Sequence, residues 1–89
     1  MDILVNQEFI LICEEILEGK RTEEEWAEFE SDDMFQSKSF IGGYDADEMA
    51  FCFSYYNENG EEFWFQLTLA EIEKVVTGEL LKLQLRPAE

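Results

Sequence analysis

Residues 48–67 constrain this chain more than any other stretch. They read Glu-Met-Ala-Phe-Cys-Phe-Ser-Tyr-Tyr, then Asn-Glu-Asn-Gly, then Glu-Glu-Phe-Trp-Phe-Gln-Leu. Two aromatic runs flank an Asn-Gly turn signal, which predicts a β-hairpin. Met49, Phe51, Phe53 and Tyr55 alternate with Ala50, Cys52 and Ser54, and Phe63, Phe65 and Leu67 alternate with Trp64 and Gln66. A period of two gives each strand one heavily aromatic face.

The same pattern selects the register. A two-residue loop at Asn59-Gly60 would pair Ser54 with Phe65, setting the large residues of one strand against the small residues of the other. A three-residue loop, Glu58-Asn59-Gly60, pairs Tyr55 with Phe63, Phe53 with Phe65 and Phe51 with Leu67. All large apolar groups then share one face, and Gly60 takes the left-handed position. A five-residue loop would keep the same face. The opposite face carries Tyr56, Cys52, Ser54, Trp64 and Gln66, and is expected to be partly open to a partner or to self-association as a homodimer.

Capping signals delimit three helices. Asn6 is an N-cap, with Val5 and Ile10 as a hydrophobic staple, for a helix over Gln7 to Glu18 that Gly19 would end in a left-handed cap. Thr22 and Glu25 form a capping box for a second helix, on which Trp26 and Phe29 share a packing face. Were Trp26 exposed instead, it would be a binding hot spot. Thr68 and Glu71 form another box, for a helix over Leu69 to Thr77 stopped by Gly78. Residues 31–44 read as a connection tethered by Met34, Phe35, Phe40 and Ile41, with a bend at Gly42-Gly43. Leu81, Leu83 and Leu85 alternate with Lys82 and Gln84, so residues 80–86 read as a strand that Pro87 ends.

The expected product is one small α+β domain spanning residues 1–89. Its order is α-α-β-β-α-β, an antiparallel hairpin plus a third strand covered by two or three helices. The last strand is expected to pair parallel to a hairpin strand.

Charge supplies the functional clue. Twenty-two acidic residues against six basic ones leave a formal net charge of -16. Acidic chains that stay disordered are poor in aromatics, whereas 15% of this chain is aromatic. The acids are therefore expected to sit on a folded scaffold. Glu14, Glu15 and Glu18 occupy the half of the first helix where the helix dipole disfavours them. Glu24, Glu25, Glu28, Asp32 and Asp33 belong to the densest run. Asp45 and Asp47 precede the hairpin, and Glu58, Glu61 and Glu62 surround its turn. With Trp64, these are the candidate partner-binding residues. Adaptation to high salt and plain solubility are the competing explanations of the charge.

Phosphates would be repelled, so direct nucleic-acid binding is disfavoured, as is an anionic membrane. A basic nucleic-acid-binding protein, such as a nuclease or a defence effector, is the partner this charge suits. Histidine is absent, which excludes a triad built on it. The serines lack nucleophile-elbow context, and Gly42-Gly43 lacks the spacing of a phosphate loop. The Asp-Ser-Leu attachment site of acyl carrier proteins is missing. Cys13 and Cys52 have no zinc-site spacing and read as free thiols. Neither enzyme activity nor a cofactor or metal is expected. No leader or membrane-spanning run appears, so a cytoplasmic protein is expected. The functional expectation is a stoichiometric inhibitor that places acids in a basic nucleic-acid groove, of phage defence-evasion or nuclease-immunity type. The alternative is a small adaptor or chaperone using the sheet edge or the aromatic face.

Overall fold

The computed structural model describes residues 1–29 and 31–88, and the side chains of all of these except 31–33. The chain is α+β. The helices are α1 (Gln7–Glu18), α2 (Glu23–Glu28) and α3 (Leu69–Thr77). The strands are β1 (Asp2–Leu4), β2 (Ser31–Gln36), β3 (Phe40–Asp45), β4 (Ala50–Tyr56), β5 (Glu62–Leu67), β6 (Lys82–Gln84) and β7 (Arg86–Pro87). Five strands form one antiparallel sheet in the order β2-β3-β4-β5-β7, and β1 pairs with β6 in a second, two-stranded sheet.

The hairpin register is the one that collects the large residues. Tyr55 pairs with Phe63, Phe53 with Phe65 and Phe51 with Leu67. Asn57 N donates to Glu61 O and Gly60 N to Asn57 O, closing a three-residue loop with Gly60 at φ 77°. Phe40, Gly42 and Tyr44 of β3 extend the aromatic face by one strand.

Helix α1 packs on this face through Phe9. Its ring centroid lies 5.1 Å from Phe40, 5.3 Å from Phe53 and 5.4 Å from Phe65. Gly42 lets β3 lie close against β4 beneath this face. A Cβ there would lie 2.1 Å from Cys52 O and 2.6 Å from Phe53 Cδ1. Ile12, Cys13 and Ile16 of α1, Ile72 and Val75 of α3, and Leu83 and Leu85 complete one contiguous core.

The caps at Asn6, Thr22 and Thr68 form with the expected side-chain bonds, and Gly78 takes the left-handed cap. Gly19 does not. It stays right-handed at φ -65°, and Lys20 makes the left-handed turn instead, at φ 52°. A Cβ on Gly19 would make a tight contact of 3.2 Å with Ile16 O in the last turn of α1.

Residues 31–44 are not a connection. They supply β2 and β3, joined by a tight turn in which Ser37 N donates to Phe40 O. The glycine pair, expected to bend the chain, lies within β3. The final segment also differs from expectation. It divides into β6, paired with β1, and β7, paired with β5, and both pairings are antiparallel. Pro87 sits inside β7, on the sheet edge, where a missing N–H is tolerated. The expected third strand is thus joined by others, and the sheet is wider than three strands.

Candidate functional site

The predicted acidic residues lie mainly towards one end of the sheet, with a smaller group at the other. Helix α2 packs through its one buried residue, Trp26, onto Tyr44, Phe51 and Phe35, with centroids at 6.0, 5.1 and 6.1 Å. Trp26 is only 2% exposed, so it anchors α2 in the core and is not a free hot spot. Glu23, Glu24, Glu25 and Glu28 are exposed around it. Tyr44 and Phe51 flank the β3–β4 turn, which carries Asp45, Asp47 and Glu48. The two acidic groups therefore meet at this end. Their field is felt there. The Tyr44 hydroxyl is held above its ordinary pKa by burial, then by Glu23 and Glu24. The Cys52 thiol is pushed up to about 11 by burial, then by Asp45 and Glu48.

Helix α1 runs towards the same end. Its first turn holds Glu8 beside the β2–β3 turn, and a Cβ on its C-cap, Gly19, would lie 3.6 Å from the Trp26 ring. Glu14, Glu15 and Glu18 are all exposed. Asp32 and Asp33 belong to the backbone of β2, but their side chains lie outside those described.

The second group occupies the opposite end. Glu58, Glu61 and Glu62 surround the β4–β5 loop, and Tyr56 N donates to Ser39 O to bring the β2–β3 turn beside it. Strand β4 separates the two ends by about 20 Å, at roughly 3.3 Å per residue.

Few of these carboxylates are satisfied within the fold. Glu25 closes its capping box with Thr22, Asp45 Oδ1 accepts from Asp47 N and Glu48 N, Glu61 accepts from Asn57, and Glu62 accepts from Ser54 Oγ at 2.8 Å. Among the described residues, no carboxylate accepts a hydrogen bond from lysine or arginine. The two arginines are engaged elsewhere. Arg21 stacks on Phe29 at 4.2 Å and Trp26 at 5.5 Å, and Arg86 lies 5.1 Å over Trp64.

Between the two ends lies the sheet face that the helices leave open. One row of residues crosses all five strands in register: Gln36, Ile41, Ser54, Trp64 and Arg86. Beside it run Gly43, Cys52 and Gln66. Ile41, Cys52, Ser54 and Trp64 are half-buried, and Gln36, Tyr56 and Gln66 are exposed. Trp64 thus sits on the face expected of it. Ile41, expected to tether a connection, lies on this face instead. Its alternation with Phe40 and Gly42 is the sequence signal for that placement, and the glycines hide it.

A cleft of about 380 Å³ lies between the β5 edge and β6. Asp2, Glu71, Lys82 and Arg86 are among its lining residues. Among the described residues, no group of three or more His, Cys, Asp or Glu side chains is placed to hold a metal ion, and no helix is long and apolar enough to cross a membrane. No protein-family model, curated protein or solved structure matches the chain.

Proposed function

We propose that this protein is a stoichiometric inhibitor of a nucleic-acid-binding protein. Its carboxylates occupy the basic groove where phosphates would otherwise lie. A nuclease held by its immunity protein, or a defence effector blocked by a phage product, would present such a groove. The reading rests on one observation: a charge of -16 is carried by a folded scaffold whose carboxylates accept no bond from its own cations among the described residues. Such carboxylates are free to take charge-assisted bonds from a partner's arginines. Self-repulsion lowers the stability of the compact state, and the same field speeds encounter with a cationic surface.

The open face around Trp64 favours a second reading, an adaptor that binds through apolar contact. Salt separates the two. Capture from the native host, with mass-spectrometric identification, should recover a basic nucleic-acid-binding protein. Moderate salt should release it, and nucleic acid should displace it. Reversing Glu24, Glu28 and Asp47 to lysine should weaken the complex without unfolding the chain. A complex indifferent to salt, to nucleic acid and to these reversals would refute the inhibitor reading.

A further inference from the structure

The geometry points to the open sheet face as the seat of an amphipathic helix of the partner, apolar at its middle and basic at both ends. This deepens the inhibitor reading and rests on it, because it takes the partner to be cationic.

What the face offers decides what can dock there. A sheet edge presents unpaired backbone groups and recruits a strand. Over β3, β4 and β5 the face presents side chains alone: β4 is paired on both sides over most of its length, and the outer backbone of β5, which β7 covers only at Phe63 and Trp64, points along the sheet and not out of its face. An element docking there must satisfy its own backbone hydrogen bonds, which a helix does. The other face of the same sheet already carries α1, so a helix here would complete a three-layer arrangement.

The relief of the face suits a helix ridge. Gly43, Cys52 and Ser54 form a low centre, with Ile41 on one side and Trp64 on the other. Asp45 and Asp47 lie at one end of this trough and Glu58 at the other, from which the Glu62 carboxylate reaches back to Ser54 Oγ. The ends are about 20 Å apart, the length of a helix of about 13 residues. Charge excludes the simplest rival. A second copy would bring another -16 onto the same face. A helix with Arg or Lys near both ends meets acids at both ends and Ile41 and Trp64 between them. Arg86 lies at the β7 margin, stacked on Trp64 and beside the seat.

The probe is a synthetic peptide of about 15 residues, with paired arginines at each end and leucine and alanine between. It is titrated into the isotope-labelled full chain. A second peptide keeps the arginines but replaces the leucines with serine. The first peptide should shift the amides of Ile41, Cys52, Ser54 and Trp64, and the Trp64 indole N–H. The second should bind at least about tenfold more weakly. Ile41→Glu should weaken the first peptide by a similar factor, and Trp64→Ala provides an independent variant should either one misfold. Shifts confined to α1 and α2, equal binding of both peptides, or a concentration-dependent dimer through this face would each overturn the proposal. The two readings can fail separately. If Ile41→Glu still captures a nucleic-acid-binding partner as tightly as wild type, the helix seat is lost and the inhibitor reading stands. If the peptide seats but the captured partner is indifferent to nucleic acid, the inhibitor reading is lost and the seat stands.

Discussion

Trp26 and Phe51 meet edge to face, with ring centroids 5.1 Å apart and planes at 78°. This contact holds the most acidic helix against the sheet. Helix α2 has six residues and would not persist alone. Its capping box and the dipole-favoured Glu23 and Glu24 help, but burial of one indole stabilises it more. Trp26→Ala should cost about 3–5 kcal/mol. At roughly 4–8 °C per kcal/mol for a domain of this size, thermal unfolding by circular dichroism should fall by at least about 12 °C. Glu28→Lys, exposed at the end of the same helix where the dipole favours a cation, should leave the midpoint unchanged or raise it, since it also relieves self-repulsion. Equal losses in the two variants would mean that Trp26 does not anchor α2.

Gly42 and Gly60 are predicted to differ, although both lie in or beside the sheet. A methyl at Gly42 would meet the backbone carbonyl of Cys52 at 2.1 Å, and a carbonyl inside a sheet cannot move aside cheaply. Gly42→Ala should therefore cost about 3 kcal/mol, the upper end of overpacking. Gly60 has open space around it and a φ of +77°. Gly60→Ala should cost only the left-handed backbone penalty, about 1 kcal/mol. Urea midpoints measure both. A Gly60 loss equal to or above the Gly42 loss would contradict the packing account.

These two glycines also show how much of the fold is legible in the chain. The Asn-Gly turn, the three caps and the aromatic alternation are local signals, and each specifies its element. Gly42-Gly43 misleads because the need it serves is not local. Only the pairing of β3 with β4 places Gly42 against Cys52 and beneath Phe53. The division of residues 80–87 into β6 and β7 is equally non-local, because β1 competes for part of the segment. For the candidate site, exposure of the acids follows from composition. Their separation into two ends does not, since it depends on which turns the antiparallel sheet brings together.

Burial pushes the Cys13 thiol from 9.0 up to about 12, with a further contribution from Glu14. The unfolded chain releases this proton from about pH 9, and the folded chain retains it until about pH 12. Between these values the unfolded state binds fewer protons, so stability falls as pH rises. Cys52 and Tyr44, also raised, act with the same sign. Below about pH 8 none of the three changes stability. The urea midpoint of wild type should decline steeply between about pH 9 and 11. That of Cys13→Ala, lower at about pH 8 from the lost packing, should decline less steeply. Parallel slopes would rule out Cys13 as the titrating group. A disulfide-exchange reagent at about pH 8 should label Cys52 slowly, and should reach Cys13 only on unfolding.

Glu8 sets a local bond against the field of the whole molecule. Its carboxylate accepts from Ser37 Oγ and, at 2.6 Å, from Ser39 N, tying the first turn of α1 to the β2–β3 turn. Every other negative charge on the chain favours neutralising it. A charge-assisted bond contributes about 1.5–3 kcal/mol, whereas one exposed charge among many screened ones contributes a few tenths. The local bond should therefore outweigh the field. Glu8→Ala should cost about 2 kcal/mol, and Glu8→Gln, which keeps one acceptor oxygen without its charge, about half as much. Glu15→Gln removes the same charge from an exposed position with no hydrogen bond, and should stay within about 0.5 kcal/mol of wild type. Urea unfolding of the four proteins at one ionic strength makes the comparison. If Glu8→Gln stabilised the fold as much as Glu15→Gln, self-repulsion would outweigh the bond, and Glu8 would join the partner-facing acids instead of the structural ones.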